Sequence, residues 1–205
     1  MGRIKHTKNE LKKQKDDLKR LIRYLPTLIL KKQQLQIEII RILHAIEELK
    51  GKIEAFTASV YEWVAVFAEE VHIEKLVSIE KVRVSTGNIA GTDIPIFEKV
   101  DFRESSYDII KTPLWVDYGI EAVKELAGLK AEYRILDEQL KLIRQELRIT
   151  TQRVNLFEKI KIPQARENIR RISIFLGDLE TASVVTGKLS KNKIEKKQGA
   201  LVGSC

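Results

Sequence analysis

The sequence predicts a mainly α protein: a long antiparallel two-helix coiled coil formed by the N- and C-terminal segments, with a short central β-hairpin head. Three observations carry that expectation. From Leu11 to Phe67 one position recurs in an unbroken alternation of threes and fours, a second seam of the same kind runs from Leu126 to Phe157, and between them the period falls to two. The corresponding segments are 1–70 for the first helix, 71–119 for the head, 120–187 for the second helix and 188–205 for a basic, flexible tail.

The first seam passes through Leu11, Gln14, Leu18, Leu21, Leu25, Leu28 and Lys32, then through Leu35, Ile39, Ile42, Ile46, Leu49, Ile53, Phe56, Val60, Trp63 and Phe67. Only Gln14 and Lys32 depart from the apolar rule. A period of 3.5 sustained this long asks for a left-handed coiled coil rather than an ordinary surface helix. At 1.5 Å per residue the segment would be about 85 Å long, so it needs a partner along its length.

The partner is in the same chain. Its seam reads Leu126, Leu129, Tyr133, Leu136, Leu140, Ile143, Leu147, Thr150, Val154 and Phe157. Opposed residues of a folded-back pair have a constant sum of residue numbers. One such register sets Ile39 against Thr150, Ile42 against Leu147, Ile46 against Ile143, Leu49 against Leu140, Ile53 against Leu136 and Trp63 against Leu126. It also sets Pro26 level with Pro163. Beyond them Ala165, Ile169, Ile172, Leu176 and Leu179 fall opposite Leu25, Leu21, Leu18, Gln14 and Leu11, one residue out of step with the first set. Proline inside a helix removes a hydrogen bond and clashes with the preceding turn, so a kink or change of supercoil is expected at Pro26 and Pro163. Pro163 in the first turn of a fresh helix is the alternative.

In the head, Val82 and Val84, then Ile94 and Ile96, then Val100 and Phe102, give short alternating runs broken by Thr86, Gly87, Asn88 and by Gly91, Thr92, Asp93. These read as two strands joined by a glycine-containing turn, with Gly87, Asn88 and Gly91 as the turn residues. Pro95 suits an edge strand. Two strands alone are marginal, so the head must pack on the rod ends or on a partner, with Leu114, Trp115 and Tyr118 as packing residues.

Composition narrows the function. The chain has 205 residues and a net charge of +8. Residues 1–32 carry eleven basic and three acidic side chains, and residues 188–205 carry five lysines and one glutamate, so the folded-back pair gathers positive charge at the terminal end. Such a tip suits nucleic acid, anionic lipid or an acidic protein surface. No apolar run approaches the roughly 18 residues of a membrane span, and the N-terminus lacks the apolar stretch of a signal peptide, so a cytoplasmic protein without direct membrane insertion is expected. Cys205 is the single cysteine, which leaves no disulfide framework. Gly187 and Lys188 are followed by Leu189, outside any phosphate-loop pattern. His6, His44 and His72 are dispersed without metal-ligand spacing, and Ser105, Ser106 and Asp108 have no histidine placed to activate a serine. No cofactor, metal or catalytic residue is expected.

Several segments carry a family resemblance. Arg153, Val154, Asn155 and Glu158, followed by Ile162 and Pro163, resemble the RVNxxE...IP signature of the D subunit of the rotary V-type and archaeal-type ATPases. Thr7, Lys8, Glu10 and Leu11, then Leu28, Leu30, Lys31, Lys32 and Leu35, are similar to its TKxEL and LLKxKxxxL pattern, and Asn88, Ile89, Gly91 and Pro95 to its NIxGxxxP turn. Pro26 stands where the family commonly has a small or flexible residue, and Gln33 and Gln34 replace part of its basic run.

The resemblance implies a non-catalytic rotor shaft in the central stalk, coupling ATP hydrolysis or synthesis to proton or sodium transport. The implied partners are the catalytic and non-catalytic subunits of a nucleotide-binding ring around the two termini, a small central-stalk F subunit, and a membrane-rotor adaptor at the head. Peripheral attachment to the membrane through the complex would follow. Lys12, Lys19, Arg20, Arg166, Arg170 and Arg171 would then bear on acidic loops of the ring. The other reading that the residues leave open is a coiled-coil adaptor whose basic tip binds nucleic acid or an acidic protein, although Tyr24 and Phe175 are the only aromatics near that tip.

Overall fold

The computed structural model describes residues 4–62, 76–106, 113 and 115–202, with side chains to 196. Trp63, Phe67, His72, Asp108, Leu114 and Cys205 lie outside them. The elements are α1 (Lys8–Tyr61), β1 (Val77–Ile89), β2 (Thr92–Glu104), α2 (Trp115–Asn155), a π-helical turn (Leu156–Lys161) and α3 (Ile162–Val202). The fold is the expected mainly helical one with a two-stranded antiparallel hairpin. Its contacts divide into two compact units, one of residues 30–151 and one of residues 1–29 with 152–205.

In the unit of residues 30–151, Leu35, Ile42 and Ile46 of α1 and Leu140 and Ile143 of α2 form a buried cluster, with Ile39, Leu43, Tyr133, Leu136 and Leu147 packed against it. Leu49 is buried too, and Ile53 is half-buried. Lys31 Nζ meets Glu146 Oε1 at 2.6 Å, and Lys50 Nζ stands 5.7 Å from the centroid of the Tyr133 ring.

These contacts place the helices one heptad away from the pairing expected above. That pairing would leave Lys31 and Glu146 roughly 18 Å apart along the axis, beyond the reach of their side chains. With Lys50 beside Tyr133, Ile42 comes level with Leu140, Ile46 with Leu136 and Leu49 with Tyr133. The seam residues are those of the sequence, and the partners differ because an apolar repeat looks the same after seven residues.

The hairpin lies along this helix pair instead of capping its end. At its base, Val77 packs with Val116 and Ile120, joined by Phe102 and Trp115, and Ser105 N–H donates to the Leu76 carbonyl. At its tip, Ile94 is 4% exposed inside the cluster of Leu35, Ile42 and Ile143, with Ile89 and Ala90 beside it. Buried Gln139 donates its amide to the Pro95 carbonyl. The lengths agree, since thirteen extended residues and the α2 segment from Val116 to Leu140 both span about 40 Å.

The turn itself is narrower than the sequence suggested. Gly87 and Asn88 pair with Ile94 and Asp93 inside β1, and only Ala90 (φ 51°) and Gly91 (φ 77°) make the reversal. Positive φ at both central residues is the hairpin-compatible turn that follows the natural strand twist. Asn88 supports it by accepting from Gly91 N–H at 2.9 Å and donating to Asp93 at 2.7 Å.

In the other unit, Thr7 caps α1, its hydroxyl accepting from Glu10 N–H at 3.2 Å and its carbonyl from Leu11 N–H at 3.0 Å. Facing α1, the second strand of the seam changes phase. Val154 is buried, and the next buried positions are Ile162, Ala165 and Ile172, one residue later than a strict heptad count. The π turn absorbs that extra residue, with Ile162 N–H donating to the Phe157 carbonyl. Pro163 follows directly; a widened turn gives its ring room and suits its missing N–H. Asn168 Nδ2 donates to Gln14 Oε1 at 3.2 Å, and that level brings Pro26 beside the π turn rather than beside Pro163. The helix runs through Pro26 without interruption. Residues 188–202, expected as a tail, are the helical end of α3.

Candidate functional site

The surface to weigh is that of the unit holding both terminal segments. On α1 the residues Lys8, Lys12, Lys15, Lys19 and Arg23 recur by fours and threes, which sets them on one exposed stripe. Lys8 pairs with Glu180 at 3.4 Å. Lys12 and Lys19 are exposed and carry no ion pair to any described residue. Arg20, in contrast, is tied to Asp17 one turn back.

The same division appears on α3. Arg170 and Arg171 both close on Glu167, at 3.1 and 2.9 Å. Hydrogen bonds from Arg170 and then Arg171 hold the Glu167 carboxyl below the usual carboxylate range. Arg166 is exposed, with no ion pair among the described residues. Of the six cations singled out from the sequence, three are therefore committed to carboxylates of their own helix, and Lys12, Lys19 and Arg166 are open to a partner. The spacings Asp17 to Arg20 and Glu167 to Arg170 and Arg171 were readable as local helix pairs, and that was the missed signal.

A groove of about 1610 Å³ runs between the helices beside the π turn, walled by Leu21, Tyr24, Phe157 and Ala165, with Arg20 and Arg171 on its rims. It is larger than the pockets of about 300–1,000 Å³ that enclose small ligands, and its rim arginines already face Asp17 and Glu167. It is a surface groove between helices rather than a fitted pocket. Among the described residues no three His, Cys, Asp or Glu side chains gather as a metal group. None of the described helices is long and apolar enough to cross a membrane.

Past Glu180 every α3 residue with a described side chain is exposed. Val184, Val185, Leu189 and Ile194 are each more than half exposed, among Lys188, Lys191 and Lys193. A helix without packed neighbours is marginal in water, so these turns ask for a covering surface.

Comparison with known proteins gives one consistent result. The family model for the D subunit of ATP synthase matches residues 10–192. The chain is 45% identical over 197 residues to the V-type ATP synthase D subunit of Borreliella burgdorferi, covering 96% of this chain and 98% of that one. It is 38% identical over 200 residues to the protein of the same name from Chlamydia pneumoniae, covering 94% and 93%. With that of Chlamydia caviae it shares 34% over 203 residues, 96% of each chain.

Proposed function

The chain belongs to the D-subunit family of ATP synthases, and from that premise we propose that it is the central-stalk rotor shaft of a V-type rotary ATPase. Its role is mechanical and non-catalytic: it couples nucleotide chemistry in a surrounding ring to proton or sodium movement in the membrane sector. The observation that carries the reading is the bare end of α3, where Val184, Val185, Leu189 and Ile194 alternate with lysines and have no partner helix among the described residues. A ring of nucleotide-binding subunits closing around the termini would cover it. Lys12, Lys19 and Arg166 then bear on acidic loops of the ring, so that each angular position favours a different neighbour. Coupling requires such differential contact between ring states. The hairpin side meets the small F subunit of the stalk and the membrane-rotor adaptor, which attach the complex peripherally to the membrane. The nucleic-acid adaptor reading gains nothing from the relatives' names.

The test is purification from native membranes through a tag joined by a long Gly/Ser linker after Cys205. Stoichiometric nucleotide-binding subunits with ATPase activity are expected. Nucleic acid without ATPase subunits would reject the reading. Within the assembled complex, Arg166→Ala should slow coupled turnover about two- to fivefold, the rate equivalent of one exposed ion pair, with the helical signal unchanged. Arg170→Ala should do less, because that guanidinium is already engaged by Glu167.

A further inference from the structure

We propose that two polar pairs in the seam, Gln14 with Asn168 and Lys32 with Thr150, select one register for the helix pair out of the two that its apolar residues accept. The inference concerns the chain's own helices and stands apart from the partners assigned above. Apolar burial discriminates poorly between registers one heptad apart. Ile42 meets Leu140 in one and Leu147 in the other, Ile46 meets Leu136 or Ile143, and Leu49 meets Tyr133 or Leu140.

The polar positions do discriminate. In the observed register Asn168 donates to Gln14 Oε1 at 3.2 Å, and Gln14 Nε2 donates in turn to Glu10 at 2.9 Å, so both ends of the Gln14 amide are used. Lys32 falls level with Thr150, which is 1% exposed and whose hydroxyl has no hydrogen-bond partner among the described residues. Moving one heptad sets Gln14 against Phe175 and Thr150 against Ile39, with Lys32 against Phe157. Gln14 and Asn168 then keep their desolvation cost and lose the hydrogen bond between them, and Lys32 loses the polar level it shares with Thr150. A buried polar residue at a seam position fixing register is the best-attested use of such residues in coiled coils.

The full chain with Cys205→Ser provides the test. One version carries Ile46→Cys with Leu136→Cys, matching the observed register, and a second carries Ile46→Cys with Ile143→Cys, one heptad away. In the native seam the first pair should oxidise more than about tenfold faster, since cysteines with Cα atoms beyond about 7 Å cannot be bridged without backbone movement. Replacing Gln14, Lys32, Thr150 and Asn168 together by leucine should bring the two rates within about threefold of each other. Lys32→Met with Thr150→Val, a milder change that conserves shape, should narrow the gap in the same direction; circular dichroism checks that each variant is folded. A tenfold preference persisting in both variants would overturn the proposal and assign register choice to the hairpin tip. A native preference for the second pair would overturn the register itself.

Discussion

Ala90 shows how one residue joins local strain to packing. A non-glycine residue at φ 51° carries a cost of about 1–2 kcal/mol, and an Asn or Gly would serve the turn better. Its methyl, however, packs against the cluster of Leu35, Ile42 and Ile143. Ala90→Gly removes the strain but loses the methyl contact, worth about 0.8 kcal/mol, and adds about 0.5–1 kcal/mol of unfolded-state entropy. The terms nearly cancel, so urea denaturation should place Ala90→Gly within about 1 kcal/mol of the parent protein. Ala90→Val, a branched residue at positive φ, should cost about 2 kcal/mol. A gain above about 1 kcal/mol for Ala90→Gly would mean that the methyl contributes nothing. None of this was visible in the sequence, where Gly87 and Asn88 looked like turn residues because glycine and asparagine usually are. Gly87 in fact sits within β1, with the Ile96 side chain lying where a Cβ would project.

Among the elements, the hairpin depends most on the rest of its unit. Two strands are marginally stable by themselves, and this ribbon is fixed by Val77 and Phe102 at one end and by Ile94 with Gln139 at the other. Ile94→Ala should therefore cost about 2–4 kcal/mol and raise hydrogen exchange at the tip amides. Ile79→Ala, the same chemistry at a residue 53% exposed, should cost less than about 1 kcal/mol; equal costs for the two would contradict the docked tip. The strands were legible from their period of two, and their destination was not. Nothing in the alternation of Val82, Val84, Ile94 and Ile96 says that Ile94 alone of the four is buried. The helix seams were legible almost residue by residue, yet their register was misjudged because an apolar repeat accepts a shift of seven residues. The contacts of Lys31 with Glu146 and of Asn168 with Gln14 tell the two registers apart.

At the scale of the whole chain, charge and family were readable from the sequence, and the commitments of individual charges were not. The terminal segments hold the basic excess, but whether an arginine is available depends on a carboxylate one turn away, as Glu167 shows for Arg170 and Arg171. The one-residue discrepancy near Pro163 was present in the sequence, and its physical form is one extra residue taken up in a widened π turn. In the vocabulary of insertions and deletions, Leu156–Lys161 is an in-frame spare. Losing a residue almost anywhere else in the second seam would rotate everything downstream by about 100° and turn its apolar stripe outward. Losing Lys159, with Pro163→Ala to spare the tightened turn a ring clash, should instead restore an ordinary helix and leave Ile162, Ala165 and Ile172 facing inward. Thermal unfolding should then stay within about 5 °C of the parent, whereas deletion of Gln152 with the same Pro163→Ala should lower it much further. A chain of this family could therefore change length by one at this point and keep all its internal partners.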